Sequence, residues 1–294
     1  MEDTRAEEGK MPEIELSAGT IDYEDTGGDG PVLVLLHGVL MDGTVWRKVV
    51  PGLRDDYRCV VPTLPLGAHR RPMRPDADLS LRALALLVSE FLEKLDLRDV
   101  TLVLNDWGGA QFLISEGRAG RLARLALTSC EAFDNYPPGL PGRMLALAAG
   151  TPGRLRLTMN LLRFTAVRRA PGGWGWMSKR PVPRQVMDGW FRPATTSARI
   201  RRDLVRYGRS IPDDQTLLAW AGQLVAFDRP VLVAWATEDK IMPREHGRRL
   251  AALFPDARLV EVEDSYTLIP EDQPDLLARL LREFVPAPAV PGAA

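Results

Sequence analysis

Histidine and cysteine are scarce in this chain: 294 residues hold three of the first and two of the second. Cys59 and Cys130 stand at the ends of stretches that read as buried strands, so no disulfide framework is expected, and a reducing, cytoplasmic setting fits. Asp42, Asp106 and Asp239 have no histidine or cysteine at ligand spacing, so no metal is expected. Gly108-Gly109 is followed neither by Lys-Ser/Thr nor by a third glycine, which excludes a phosphate loop; no cofactor is expected. Charge of one sign is missing too. A formal net charge of −1 provides no overall field for nucleic acid. No apolar run approaches the roughly 18–20 residues that cross a bilayer. The opening Met1–Lys10 is charged without an apolar centre and does not read as a signal peptide.

What remains is a large apolar inventory, 45% of the chain, in an alternating pattern. Ile14–Leu16 and Ile21–Tyr23 read as a hairpin turning at Gly19-Thr20. Val32–Leu36, Cys59–Val61, Val100–Leu104, Leu125–Thr128, Val231–Trp235 and Arg258–Val262 read as further strands. Between and after them, Leu79–Leu97, Pro243–Phe254 and Gln273–Phe284 have helical spacing, the first with Leu81, Leu84, Leu87, Phe91 and Leu95 on one face. Continuous apolar strands alternating with helices predict an α/β protein with a mostly parallel sheet covered on both faces.

From about residue 133 to 227 the pattern changes to short helical segments punctuated by Pro and Gly. Residues 151–210 carry fourteen Lys and Arg against Asp188 and Asp203 alone. The predicted organisation is a core over 1–132 and 228–286, a helical cap over 133–227 and a flexible tail over 287–294. A cap inserted there covers the carboxyl edge of the sheet, where ligands of such sheets bind. Its basic charge suits solvated outer helix faces, an anionic substrate or a membrane surface. Trp174, Trp176, Trp190 and Trp220, in or near the cap, suggest an aromatic pocket for a small or medium, largely apolar organic molecule.

The decisive stretch is Leu102-Val103-Leu104-Asn105-Asp106-Trp107-Gly108-Gly109-Ala110. It sets a carboxylate where a strand turns sharply into what reads as a helix, with small residues allowing close packing. This resembles the nucleophile elbow with Asp in place of Ser. Together with Leu35-Leu36-His37-Gly38-Val39 and the turn Trp235–Pro243, it makes the chain similar to the α/β-hydrolase superfamily, within its haloalkane dehalogenase and epoxide hydrolase branch. The resemblance implies an α/β-hydrolase fold and Asp106 as a nucleophile forming an alkyl ester. It also implies an oxyanion hole from the backbone N–H groups of Val39 and Trp107, and a supporting acid at Glu131 or Asp239. The Trp107 indole stands where dehalogenases contact halide. Two positions depart from the pattern: Val39 replaces the dehalogenase Asn, and Leu40 the epoxide hydrolase Pro.

A third departure bears on mechanism. In this branch a histidine after the last strand activates the water that hydrolyses the ester. Here the matching segment, Asp264 to Pro274, has Tyr266-Thr267 where Gly-His is expected. A threonine hydroxyl is no general base near neutral pH. His69, in a loop on the same sheet edge as Asp106, is the candidate substitute base. His37 reads as structural and His246 as facing solvent. Pocket candidates are His37, Trp107, Tyr136, Tyr207 and Thr267. Three functions fit: a hydrolase with an Asp nucleophile; a non-hydrolytic enzyme (epoxide opening, cyclase, isomerase or lyase) using Asp106 without a histidine; and a silent ligand-binding member of the fold.

Overall fold

A computed structural model describes residues 11–286, so Met1–Lys10 and the predicted 287–294 tail lie outside the described residues. Eight strands form one sheet: β1 (Glu13–Leu16), β2 (Gly19–Asp25), β3 (Val32–Leu36), β4 (Arg58–Pro62), β5 (Val100–Asp106), β6 (Leu122–Cys130), β7 (Val231–Ala236) and β8 (Ala257–Val262). Their order is β1-β2-β4-β3-β5-β6-β7-β8. The β1–β2 and β2–β4 pairs are antiparallel and all the others parallel. This is the mostly parallel α/β sheet that the alternating pattern predicted, in the α/β-hydrolase arrangement that the resemblance implied.

Neighbouring residues of a strand point to opposite faces. Every residue of β5 and β7 is buried, so helices and loops cover both faces of the sheet there. The helices outside the 133–227 stretch are α1 (Leu81–Lys94), α8 (Arg244–Leu253), α9 (Ile269–Asp272) and α10 (Pro274–Phe284). The Ser80 hydroxyl accepts from the Ala83 N–H and starts α1 two residues later than its apolar spacing suggested. Between β6 and β7 run α2 (Gly139–Ala149), α3 (Pro152–Leu161), α4 (Thr165–Arg168), α5 (Arg184–Thr196), α6 (Ala198–Arg209) and α7 (Asp214–Gln223). No strand interrupts them among the described residues. Cys59 lies near the start of β4 and Cys130 ends β6; both are buried and free.

The segment after β5 is not the predicted helix but a 3-10 turn, Gly109–Leu113. Two successive glycines have little helix propensity, and the stretch runs only to Gly117, which turns the chain at φ 67°.

Two polar anchors fix the helical segment to the core. Asp203, on α6 and fully buried, accepts from His69 Nε2 (3.3 Å), the Met73 N–H (2.8 Å) and Arg202 Nε (2.9 Å). Burial alone would raise the Asp203 pKa, but these donors together hold it below its ordinary value. Asp272, also buried, accepts from Ser178 Oγ and from the N–H groups of Lys179, Arg180 and Tyr266 at 2.7–3.0 Å. Asp203→Ala leaves several buried donors unpaired and is expected to cost about 3 kcal/mol of stability, read as a lower urea midpoint. An unchanged midpoint removes Asp203 as the anchor of α6.

Candidate functional site

β5 lies at the centre of the sheet, and Asp106 is its last residue. Its φ of 63° is a strained, left-handed value for a non-glycine residue. The strain closes a three-residue γ-turn in which the Trp107 N–H returns to the Asn105 carbonyl at 2.8 Å. The turn pushes the Asp106 side chain out of the sheet edge against Gly38. A Cβ on Gly38 would sit 1.8 Å from Asp106 Oδ2, so only glycine fits beside the carboxylate. The next backbone N–H, that of Val39, donates to the Asp106 carboxylate.

Asp106 is buried, and desolvation pushes its pKa up to about 7; the charge of Asp239 adds to the rise, while the Val39 N–H opposes it. Glu131, just beyond β6, is joined to the same turn: its N–H donates to the Asp106 carbonyl at 2.9 Å. Burial, and then the charge of Asp106, push Glu131 well above the usual carboxylate range, although the Gly108 N–H counters with a hydrogen bond. Its Oε2 is buried and has no protein partner.

Both carboxyl groups open on a cavity of about 420 Å³. Its walls are aliphatic, built from α2, α3 and the segment to Met177, with Leu204 and Tyr207 of α6 and Val39 and Leu40 of the core. The Tyr207 hydroxyl accepts from the Trp107 indole N–H at 3.0 Å, which leaves its own proton without an acceptor among the described residues. Buried near Glu131 and Asp106, this phenol is held well above its ordinary pKa and stays a donor.

Thr267 is fully buried, and its hydroxyl donates to Asp239 Oδ1 at 2.8 Å. The N–H groups of Ile241 (2.8 Å) and Met242 (3.0 Å) donate to the same oxygen. Burial pushes Asp239 up to about 6 against these donors, and its Oδ2 has no partner. Asn105 Nδ2 holds the Thr267 carbonyl at 2.8 Å, and the Leu268 N–H binds the Met177 carbonyl at 2.7 Å. The loop is therefore pinned with a hydroxyl where a base was expected.

The structure brings Asp106, Glu131, Val39 and Tyr207 to the cavity wall, and it places the other candidates elsewhere. His37 is not a pocket residue: its Nε2 accepts from the Leu64 N–H (2.9 Å) and its Nδ1 binds the Gly38 carbonyl (2.8 Å), so it braces the loop as a neutral ring. Burial lowers its pKa and keeps it neutral. His69 is no substitute base, since Asp203 and the Gly67 N–H occupy its two nitrogens. Tyr136 donates to the Glu131 carbonyl at 3.2 Å behind the wall, and Thr267 sits behind Asp239. The Trp107 indole is spent on Tyr207 and its backbone N–H on Asn105, so one expected oxyanion donor, Val39, remains directed at the carboxylate.

His246 does not face solvent but is half-buried, edge-on to Phe133 at 5.4 Å. Of the four tryptophans only Trp174 lines the cavity; Trp190, for one, donates to Thr44 Oγ1 at 2.8 Å instead. No Lys or Arg lines it either, which removes the observation behind an anionic substrate. Sequence reasoning missed the Tyr207–Trp107 contact and the aliphatic wall of α2 and α3. The one available signal was the i, i+4 spacing of Leu140 and Met144, both in that wall.

Residues 33–280 match the model of the alpha/beta hydrolase family. The chain belongs to this family. Across it, this member is 28% identical over 282 residues to a cis-3-alkyl-4-alkyloxetan-2-one decarboxylase of Xanthomonas campestris, covering 90% of this chain and 91% of the relative. It is 27% identical over 278 residues to haloalkane dehalogenase 2 of Mycobacterium bovis, covering 91% and 92%. Among solved structures it resembles haloalkane dehalogenase DbeA of Bradyrhizobium elkani with a TM-score of 0.73 at 19% identity, over 94% of this chain and 97% of that one. That last likeness speaks for the fold alone.

The raised Asp106 pKa has a consequence for this hydrolase-family chain. From about pH 4 to 7 the folded protein keeps a proton that the unfolded chain has lost, so stability falls as pH rises through that window. Above pH 7 the full cost is present, on the order of 4 kcal/mol at ~1.4 kcal/mol per pKa unit. Asp106→Asn is expected to raise Tm by roughly 5–10 °C at pH 8 and by less at pH 5. Equal Tm values at pH 8, measured by calorimetry, exclude a strained, desolvated carboxylate at this position.

Proposed function

We propose that this chain is an enzyme opening a strained or activated C–O bond of a small, largely apolar molecule, with Asp106 as nucleophile and no water-activating base. One observation carries the reading: a buried carboxylate at a strained elbow faces an aliphatic cavity, while a threonine holds the acid that would orient an imidazole. In this reading residues 133–227 are a cap over a core of 1–132 and 228–286.

A chain with a nucleophile and no base suits a reaction in which the nucleophile is also the leaving group. The relative named for oxetan-2-one decarboxylation suggests such a substrate class, a 3,4-dialkyl β-lactone. The Asp106 carboxylate attacks the ring carbon that bears the oxygen, and that C–O bond breaks to give a substrate carboxylate. The bond between this carboxylate and the neighbouring carbon then breaks, CO2 leaves, and its electron pair forms the alkene. The alkyl–oxygen bond to Asp106 breaks in the same step and returns the free carboxylate. No water, oxidant or net proton enters. The Val39 N–H aligns the attacking carboxylate, and the Tyr207 hydroxyl and protonated Glu131 donate to the departing carboxylate.

A second reading, hydrolysis through the same alkyl ester, is favoured by the dehalogenase relatives but lacks its base at Thr267. The two readings separate in a headspace assay with cis-3,4-dialkyl β-lactones. The expected outcome is equimolar alkene and CO2, rising with pH through about 7 and abolished in Asp106→Asn. Tyr207→Phe is expected to slow the reaction about a hundredfold. Formation of the hydroxy acid without alkene, or an unaffected Asp106→Asn rate, contradicts the proposal.

A further inference from the structure

Helices α2 and α3 and the α4 turn carry a dense cluster of exposed apolar side chains. On α2, Leu140, Met144 and Leu147 share one face and are 54%, 59% and 67% exposed. Leu157 and Leu161 of α3 follow at 62% and 47%, and Phe164, just before α4, at 64%. A soluble surface scatters such residues singly; gathered together they mark an interaction site. The patch is continuous with the cavity, because Leu140, Met144 and Leu161 also belong to its wall.

The charge around it is one-sided. No Asp or Glu occurs between Asp134 and Asp188, a stretch with nine Lys and Arg. Four of these pair with acids from outside the stretch: Arg168, Lys179, Arg180 and Arg184. The other five, Arg143, Arg154, Arg156, Arg163 and Arg169, are exposed and have no ion-pair partner among the described residues. The apolar side chains and the free arginines alternate along the same three segments.

We propose that this face docks on an anionic lipid bilayer. The apolar side chains enter the boundary between headgroups and acyl chains, and the arginines meet lipid phosphates. A second copy of the chain would bring five unpaired arginines against five more, whereas an anionic surface complements them. Docked this way, the cavity mouth faces the bilayer, and an apolar substrate passes into the aliphatic wall without crossing water. The surface is independent of the chemistry at Asp106, and no helix of the described residues is long and apolar enough to cross the membrane.

The test is co-sedimentation of the full chain with phosphatidylcholine vesicles, with and without phosphatidylglycerol. The expected result is binding to the phosphatidylglycerol vesicles that weakens in high salt. Arg154→Glu and Arg163→Glu are expected to weaken it about fivefold or more each. Leu147→Ser, Leu157→Ser and Phe164→Ser, at exposed positions that do not line the cavity, are expected to abolish binding with fold and basal activity unchanged. Three results overturn the proposal: no binding to either vesicle, binding indifferent to the three apolar substitutions, or a concentration-dependent dimer lost in Leu157→Ser without vesicle binding.

Discussion

The hydrogen bond from the Thr267 hydroxyl to Asp239 is the contact around which the rest of the site is arranged. It adds a third donor to Asp239 Oδ1 beside the Ile241 and Met242 N–H groups, and its loop is held on both sides, by Asn105 on the Thr267 carbonyl and by Met177 on the Leu268 N–H. In the proposed reading, a packed hydroxyl stands where the resemblance led us to expect a base. The charge of Asp239 helps to raise Asp106. Asp106 lies within electrostatic reach of both Glu131 and Asp239, and each of the three carboxyl groups is pushed upward by burial before any charge effect. Such a set favours keeping protons near neutral pH, which suits donation from Glu131 better than abstraction by it.

Strain and close packing pin the nucleophile candidate in place. The left-handed turn at Asp106 and the missing Cβ at Gly38 let its carboxylate lie against the loop that carries the Val39 N–H. Asp203 then ties α6, and with it Tyr207, to the loop after β4. Tyr207 is thus set by two buried contacts, one through Asp203 on its own helix and one through the Trp107 indole. The site reads as a carboxylate and a phenol in an aliphatic chamber.

Much of this was legible in the residues because it depends on local rules. Apolar strands bounded by His37-Gly38 and by Asn105-Asp106 indicated the sheet edge, and β5 ends on Asp106 as the motif required. Thr267 in the histidine position was visible by alignment of the loop alone. What the residues did not show depends on distant pairs. Nothing local to His69 announces Asp203, 134 positions away, and nothing near Trp107 announces Tyr207, 100 positions on. The basic character of 151–210 was legible but its direction was not. Apart from the buried Arg168, most of these arginines sit on the outside of a helix layer whose inner face is aliphatic, a difference set by packing and not by composition.

The central claim is that this site can form an alkyl ester on Asp106 and has no base to hydrolyse it. Intact-protein mass spectrometry after incubation with 1,2-epoxyoctane tests it most directly, with Asp106→Asn as control. The account predicts one persistent adduct per chain, mapping to Asp106, with no diol released. Catalytic diol formation from a protein that stays unmodified would contradict it, because a water-activating base would then be at work in the cavity.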